Sequence, residues 1–201
     1  TSSLYPGICM VCMVIGSYFY DYFNTFGKII WIIAIIFHTI HIVIFTYLHF
    51  IKSRDINTFL PTWFVTYNGI MVSGVVGANM NEDKFLTFIV YYGIIAYFLI
   101  LPFMIWRLVK FEIKDTMQHG TAILLGPCSL CVVCYINIIK NPNIILLWIL
   151  YICVLLSLFY VLIMLPKFFS YVFTPAFAGL TFPMAIGTVA TQKMIVYLNN
   201  I

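Results

Sequence analysis

The chain has 201 residues, of which 64% are apolar or aromatic and 8% are charged, with a net charge of +4 and a mean hydropathy of +1.07. A soluble domain keeps about a quarter of its residues charged to cover its surface, so this composition excludes a soluble cytosolic enzyme and a disordered chain. The ten basic residues are spread along the whole sequence and make no patch, which excludes a nucleic-acid binder.

Charged side chains are absent from residues 1–20, 29–51, 56–81, 85–106, 116–139, 141–166 and 168–192. A helix needs about 20 apolar residues to cross the hydrocarbon of a bilayer. In lipid every backbone N–H and C=O must pair internally, so the seven runs read as seven transmembrane helices. Outer-membrane strands would be shorter and alternating. The connections leave no room for a soluble domain, and 1–201 reads as one transmembrane domain. The chain starts at Thr1 without a basic leader, which suggests a fragment of a longer protein.

The first run holds Ser2, Pro6, Gly7, Cys9, Cys12 and Gly16. The second is Ile- and Phe-rich and carries His38, His41 and His49. The third brings Pro61, Thr62, Thr66, Gly69, Ser73, Gly74 and Gly77, and the fourth has Gly93 as its one glycine. The fifth contains His119, Gly120, Thr121, Gly126, Pro127, Cys128, Cys131, Cys134 and Tyr135. The sixth is rich in Ile and Leu, with Cys153, and has its prolines, Pro142 and Pro166, at its ends. The seventh has Thr174, Pro175, Gly179, Thr181, Phe182, Pro183, Gly187 and Thr188. Glycine and proline weaken a membrane helix and expose its backbone, so such helices need protein or water around them. Greasy, regular helices can face lipid. The alternation predicts an inner ring of odd helices and an outer ring of even ones. Pro6, Pro61, Pro127 and Pro183 recur at intervals of about two crossings, which makes a helical hairpin the repeat unit.

The loops after the even runs carry Lys52 and Arg54; Arg107, Lys110 and Lys114; and Lys167. The opposite side carries Lys28, Lys84, Lys140 and Lys193. The excess marks the former side as cytoplasmic, so the first helix enters from the cytoplasm.

On the odd helices small and polar residues line up at helical spacing. Thr62, Thr66, Gly69, Ser73 and Gly77 share one face of the third run. Thr174, Ala178, Thr181, Ala185 and Thr188 do so on the seventh, Ser2, Cys9 and Gly16 on the first, and Thr121, Cys128 and Tyr135 on the fifth. Two readings stand: close helix packing, which uses such residues, or the wall of a substrate path. No Asp or Glu lies within a run. A path made of hydroxyls and kinked backbone with basic mouths suits anions better than cations. The histidines could relay protons or satisfy local hydrogen bonds, and His119 sits at the cytoplasmic start of the fifth run as an interfacial residue. Cys9 and Cys12, and Cys128, Cys131 and Cys134, have CxxC spacing. That permits a thiol or metal site, but buried cysteine also serves as a small hydrophobe.

Three segments carry a resemblance. TFPMAIGTVAT (Thr181 to Thr191), FLPTWFVTYNGI (Phe59 to Ile70) and TAILLGPCSLCVVCYI (Thr121 to Ile136) resemble the ninth, fifth and seventh helices of the tellurite-resistance/dicarboxylate transporter family, which includes the plant slow anion channels. The resemblance spans helices three to nine of ten, so helices one, two and ten would lie outside this chain. It implies an all-α integral membrane protein, a ring of helical hairpins with the odd helices around a central pore, assembled as a homotrimer. It also implies that Phe182 blocks that pore. Candidate pore-lining residues are Pro61, Thr62, Thr66, Gly69, Ser73, Thr121, Pro127, Cys128, Thr174, Gly179, Thr181, Pro183 and Thr188.

The expected function is passage of small inorganic or organic anions through a membrane, without catalysis, cofactor or metal, in a bacterial cytoplasmic membrane. The alternatives are a proton-coupled C4-dicarboxylate or sulfite carrier using His38 or His41, and a membrane thiol or metal protein built on the cysteine pairs.

Overall fold

The computed structural model describes residues 2–52, 55–170 and 177–199. Among the described residues eight α-helices carry the fold: α1 (Pro6–Tyr20), α2 (Asn24–Thr46), α3 (Trp63–Asn68), α4 (Val72–Val76), α5 (Asp83–Lys110), α6 (Leu125–Ile138), α7 (Ile144–Ser170) and α8 (Ala178–Asn199). No strand occurs among the described residues. Five segments are long and apolar enough to cross a bilayer: Ser2–Tyr20, Asn24–Lys52, Asp83–Lys110, Met117–Ile138 and Ile144–Ser170.

The third run departs from the expected continuous helix. It forms α3, a 3-10 turn at Gly69–Met71, α4, and a further 3-10 turn at Ala78–Met80. Its apolar helical stretch, Trp63–Val76, is shorter than a full crossing. Glycine at 69, 74 and 77 removes the local preference for a regular helix. A broken helix survives at membrane depth only where protein surrounds it. Here neighbouring side chains supply donors to its carbonyls. His38 of α2 donates to Thr66 O at 2.9 Å, Cys134 of α6 to Met71 O at 3.0 Å, and Ser17 of α1 to Val76 O at 2.8 Å. Ser73 donates to Ile70 O within the segment, and Lys28 reaches Met80 O.

The layers follow the alternation between runs. Met117–Ile138, which contains α6, is the most buried of the long apolar segments and Ile144–Ser170 the least, while Ser2–Tyr20 and Asn24–Lys52 are buried equally, so the layering rests on which helices touch. α6 touches α3, α4, α5, α7 and α8. The inner arc runs α1, α3/α4, α6, α8, each against the next. Outside it, α2 covers α1 and α3, α5 covers α3, α4 and α6, and α7 covers α6 and α8. One core joins all of them, from Met13 and Trp31 through Met71, Tyr97 and Cys131 to Met194.

Two glycine contacts set how closely the layers approach. A Cβ on Gly16 would lie 2.8 Å from Trp31 N and 2.9 Å from Gly27 O, so α1 and α2 cross backbone to backbone. A Cβ on Gly93 of α5 would overlap the Met71 thioether, which fills the space that the glycine leaves.

The two ends of the bundle are marked by polar contacts. At one end Lys28, near the start of α2, pairs with Glu82 before α5 at 2.6 Å. At the other, Arg107 near the end of α5 donates to Ile56 O at 3.1 Å. The loops assigned to opposite faces by charge therefore lie at opposite ends of α5.

Candidate functional site: a cavity between the inner helices

A cavity of about 790 Å³ lies inside the arc. Every residue of its wall belongs to an odd run. α1 contributes Gly7, Met10, Val11 and Val14, and the third run Leu60, Pro61, Thr62, Phe64 and Gly69. The fifth run contributes Gly120, Ile123, Gly126, Pro127 and Leu130, and α8 Gly179, Phe182 and Pro183. The wall carries no charged side chain. Thr62 is its hydroxyl, and that oxygen already accepts from Ser3 Oγ at 2.7 Å.

Phe182 stands on α8 opposite the α6 glycine. Its Cε1 lies 4.0 Å from where a Cβ on Gly126 would be, with Pro183 Cγ at the same distance. Pro183 is buried, whereas Phe182 is 41% exposed. The cavity is open on one side: the lining residues Val11 and Val14 of α1 are also half exposed, while Phe64, Val72 and Leu130 on the closed side are buried.

The structure divides the sequence candidates. Pro61, Thr62, Gly69, Pro127, Gly179, Phe182 and Pro183 meet at the cavity. Thr66 and Ser73 do not: both are fully buried, with Thr66 Oγ1 donating to Ser3 O and Ser73 Oγ to Ile70 O. A 3-10 turn advances about 120° per residue against about 100° in an α-helix. The turn at Gly69–Met71 therefore rotates the part of the face beyond it, which takes Ser73 off the wall, and Gly77 ends against Trp31. Thr121 bonds Gln118 O, and Cys128 points its thiol at Leu124 O, Leu125 O and Ser157 of α7, behind the wall. Thr181 and Thr188 lie on an exposed face of α8, and Thr188 borders a smaller groove of about 440 Å³ against α7 with Leu158 and Gln192. Thr174 lies outside the described residues.

Sequence reasoning missed the apolar part of the wall. Met10, Val11 and Val14 were not among the candidates, because an apolar residue on a cavity wall is indistinguishable by pattern from one packed in a core or facing lipid. Gly126, opposite the aromatic ring, was the available signal. The first-run stripe was misplaced: Gly16 faces α2.

The histidines also fall behind the wall. His38 is fully buried, and a Cβ on Gly69 would meet its Cε1 at 2.9 Å and Met10 Sδ at the same distance. Its Nε2 donates to Thr66 O, and its Nδ1 is buried without a partner among the described residues. His41, Phe45 and His49 form a stacked column, with ring centroids 5.9 Å and 4.0 Å apart. His119, expected at the interface, is fully buried instead and holds Phe168 O at 3.0 Å. Among the described residues no group of His, Cys, Asp or Glu is arranged to hold a metal ion.

A helical membrane bundle whose inner helices enclose an uncharged cavity, with broken backbone on one wall, belongs to the class of integral membrane channels and transporters. The family model for the voltage-dependent anion channel (SLAC1) matches residues 1–200, and the chain belongs to that family. Comparison with curated proteins finds no match.

Proposed function

We propose that the protein conducts anions through the cavity between α1, α3/α4, α6 and α8, and that the Phe182 ring closes this path. The observation that carries the reading is the composition of the wall: four separate odd runs supply all of it, and Phe182 projects from one of them towards Gly126. A ring in a narrow apolar passage blocks by volume and by dewetting. The absence of carboxylates from the runs favours anions, since cation paths use acidic rings.

The open side between α1 and α8 supports completion of the wall by a further helix. In this reading the exposed apolar faces of α2, α5 and α7 meet lipid and neighbouring copies in a homotrimer, in a bacterial cytoplasmic membrane. The carrier alternative needs a titratable group on the wall. His38 is set back from it by Gly69 and Met10, so the channel reading is preferred.

The test is electrical. In planar bilayers with the full protein, exchange of chloride, nitrate, sulfite or malate on one side should shift the reversal potential. Exchange of sodium for potassium should not. A reversal potential that follows the cation, or flux that requires a pH gradient, would overturn the channel reading.

A further inference from the structure

Arg107 is a buried cation without a carboxylate. It lies one turn before the end of α5 and is 3% exposed. Its Nε donates to Ile56 O at 3.1 Å, its Nη1 donates to Phe111 O at 2.9 Å, and its guanidinium sits 5.2 Å from the Phe111 ring centroid. Both hydrogen-bond partners are neutral carbonyls. The ion pair found among the described residues, Lys28–Glu82, is at the opposite end of the bundle. An arginine has five N–H donors, and Nη2 has no partner among the described residues. The negative end of the α5 dipole offsets part of the charge, and the two carbonyls fix the fork in place.

The surroundings place this fork at the headgroup level of a membrane. α5 has 28 residues, which makes it about 42 Å long, against about 30 Å of hydrocarbon. Upright and centred on the hydrocarbon, it would carry its last turn beyond the acyl chains. Phe103, Trp106 and Val109, over the last two turns, are exposed at 65%, 49% and 76%, as aromatic and aliphatic residues at a lipid surface are. Lys110 follows one turn on and is exposed, with Lys114 beyond it. Stretches 52–55 and 107–115 together hold five basic residues against the three acids Asp55, Glu112 and Asp115, and Asp55 already accepts from Asn57.

We propose that Arg107, together with Lys110, binds the phosphate of an anionic phospholipid at this end of α5. A phosphate takes parallel N–H bonds from an oriented guanidinium, and the bound headgroup would tie α5 to the Ile56 segment that Arg107 already holds.

The test is native mass spectrometry of the full chain in a non-ionic detergent, titrated with phosphatidylglycerol, phosphatidylcholine or inorganic phosphate. The protein should retain phosphatidylglycerol over phosphatidylcholine. Arg107→Gln and Lys110→Gln should each lower that preference about fivefold, while Lys140→Gln, on the other side by the charge assignment, should leave it unchanged. Equal retention of the two lipids by the native protein, or an unchanged preference in both variants, overturns the proposal. Inorganic phosphate that displaces phosphatidylglycerol at equal concentration overturns the lipid assignment in favour of a free oxyanion. If Arg107→Gln fails to fold, Lys110→Gln alone decides by the same readout.

Discussion

Phe182 and Gly126 face each other across the cavity with no intervening side chain. The exposure of the ring separates a gate from a core residue by sign. A buried Phe→Ala costs about 3–5 kcal/mol. Phe182, 41% exposed, should cost about 1 kcal/mol, so Phe182→Ala should fold and raise anion current. A well-folded variant with native current would defeat the gate. Two glycines give a second contrast. An alanine at Gly126 meets only ordinary contacts at 4.0 Å and should change stability by under about 0.5 kcal/mol. At Gly93 the new Cβ overlaps the thioether of Met71, which is fully buried, so the Met71 side chain must repack within the core. Gly93→Ala should cost about 1–3 kcal/mol. Thermal unfolding in detergent measures both, and equal losses at the two sites would contradict the packing described.

At the scale of elements, the third run is the unusual one. Its break is buried and held by donors from α1, α2 and α6. Removing a buried partner leaves a carbonyl unpaired, at a cost of about 1–3 kcal/mol. His38→Leu should therefore lower the unfolding temperature and speed amide exchange in residues 66–72, whereas Thr39→Val should do neither. Thr39 bonds its own helix at Ile35 O, so its loss strands nothing. Uniform exchange in both variants would mean that the break is held by packing alone. The same contrast explains the polar stripes. Thr188 and Thr191 donate to Met184 O and Gly187 O in their own helix. A hydroxyl so satisfied needs neither water nor ligand, and its presence on a face does not mark a path.

For the whole molecule, the ends of α5 separate two sets of loops. Lys28 and Glu82 meet at one end, and Arg107 and Ile56 at the other. The positive-inside count puts the second set in the cytoplasm. Single cysteines at Lys52 or Lys110, in a background with the native six replaced by alanine, should resist impermeant thiol reagents in intact cells. A cysteine at Glu82 should react. The reverse pattern would invert the molecule without altering its fold.

Charge-free length alone determined that the chain is a helical membrane protein, because lipid offers backbone groups no other partner. Glycine and proline alternation determined which helices are inner, since weakened helices need protein around them. The strings around Pro61, Pro127 and Pro183 pointed to the family and to Phe182. Tertiary structure alone decided which side chains face the cavity. A helical wheel assumes a constant rotation per residue, and the 3-10 turn at Gly69–Met71 breaks it, sending Ser73 behind the wall while Gly69 stays on it; Thr66, ahead of the turn, is taken up by Ser3 of the neighbouring segment. Tertiary structure also distinguished Met10 and Val11, on the wall, from equally apolar residues on α7. Hydrophobicity reports a preference for apolar surroundings, and an apolar cavity wall and a lipid tail satisfy it alike.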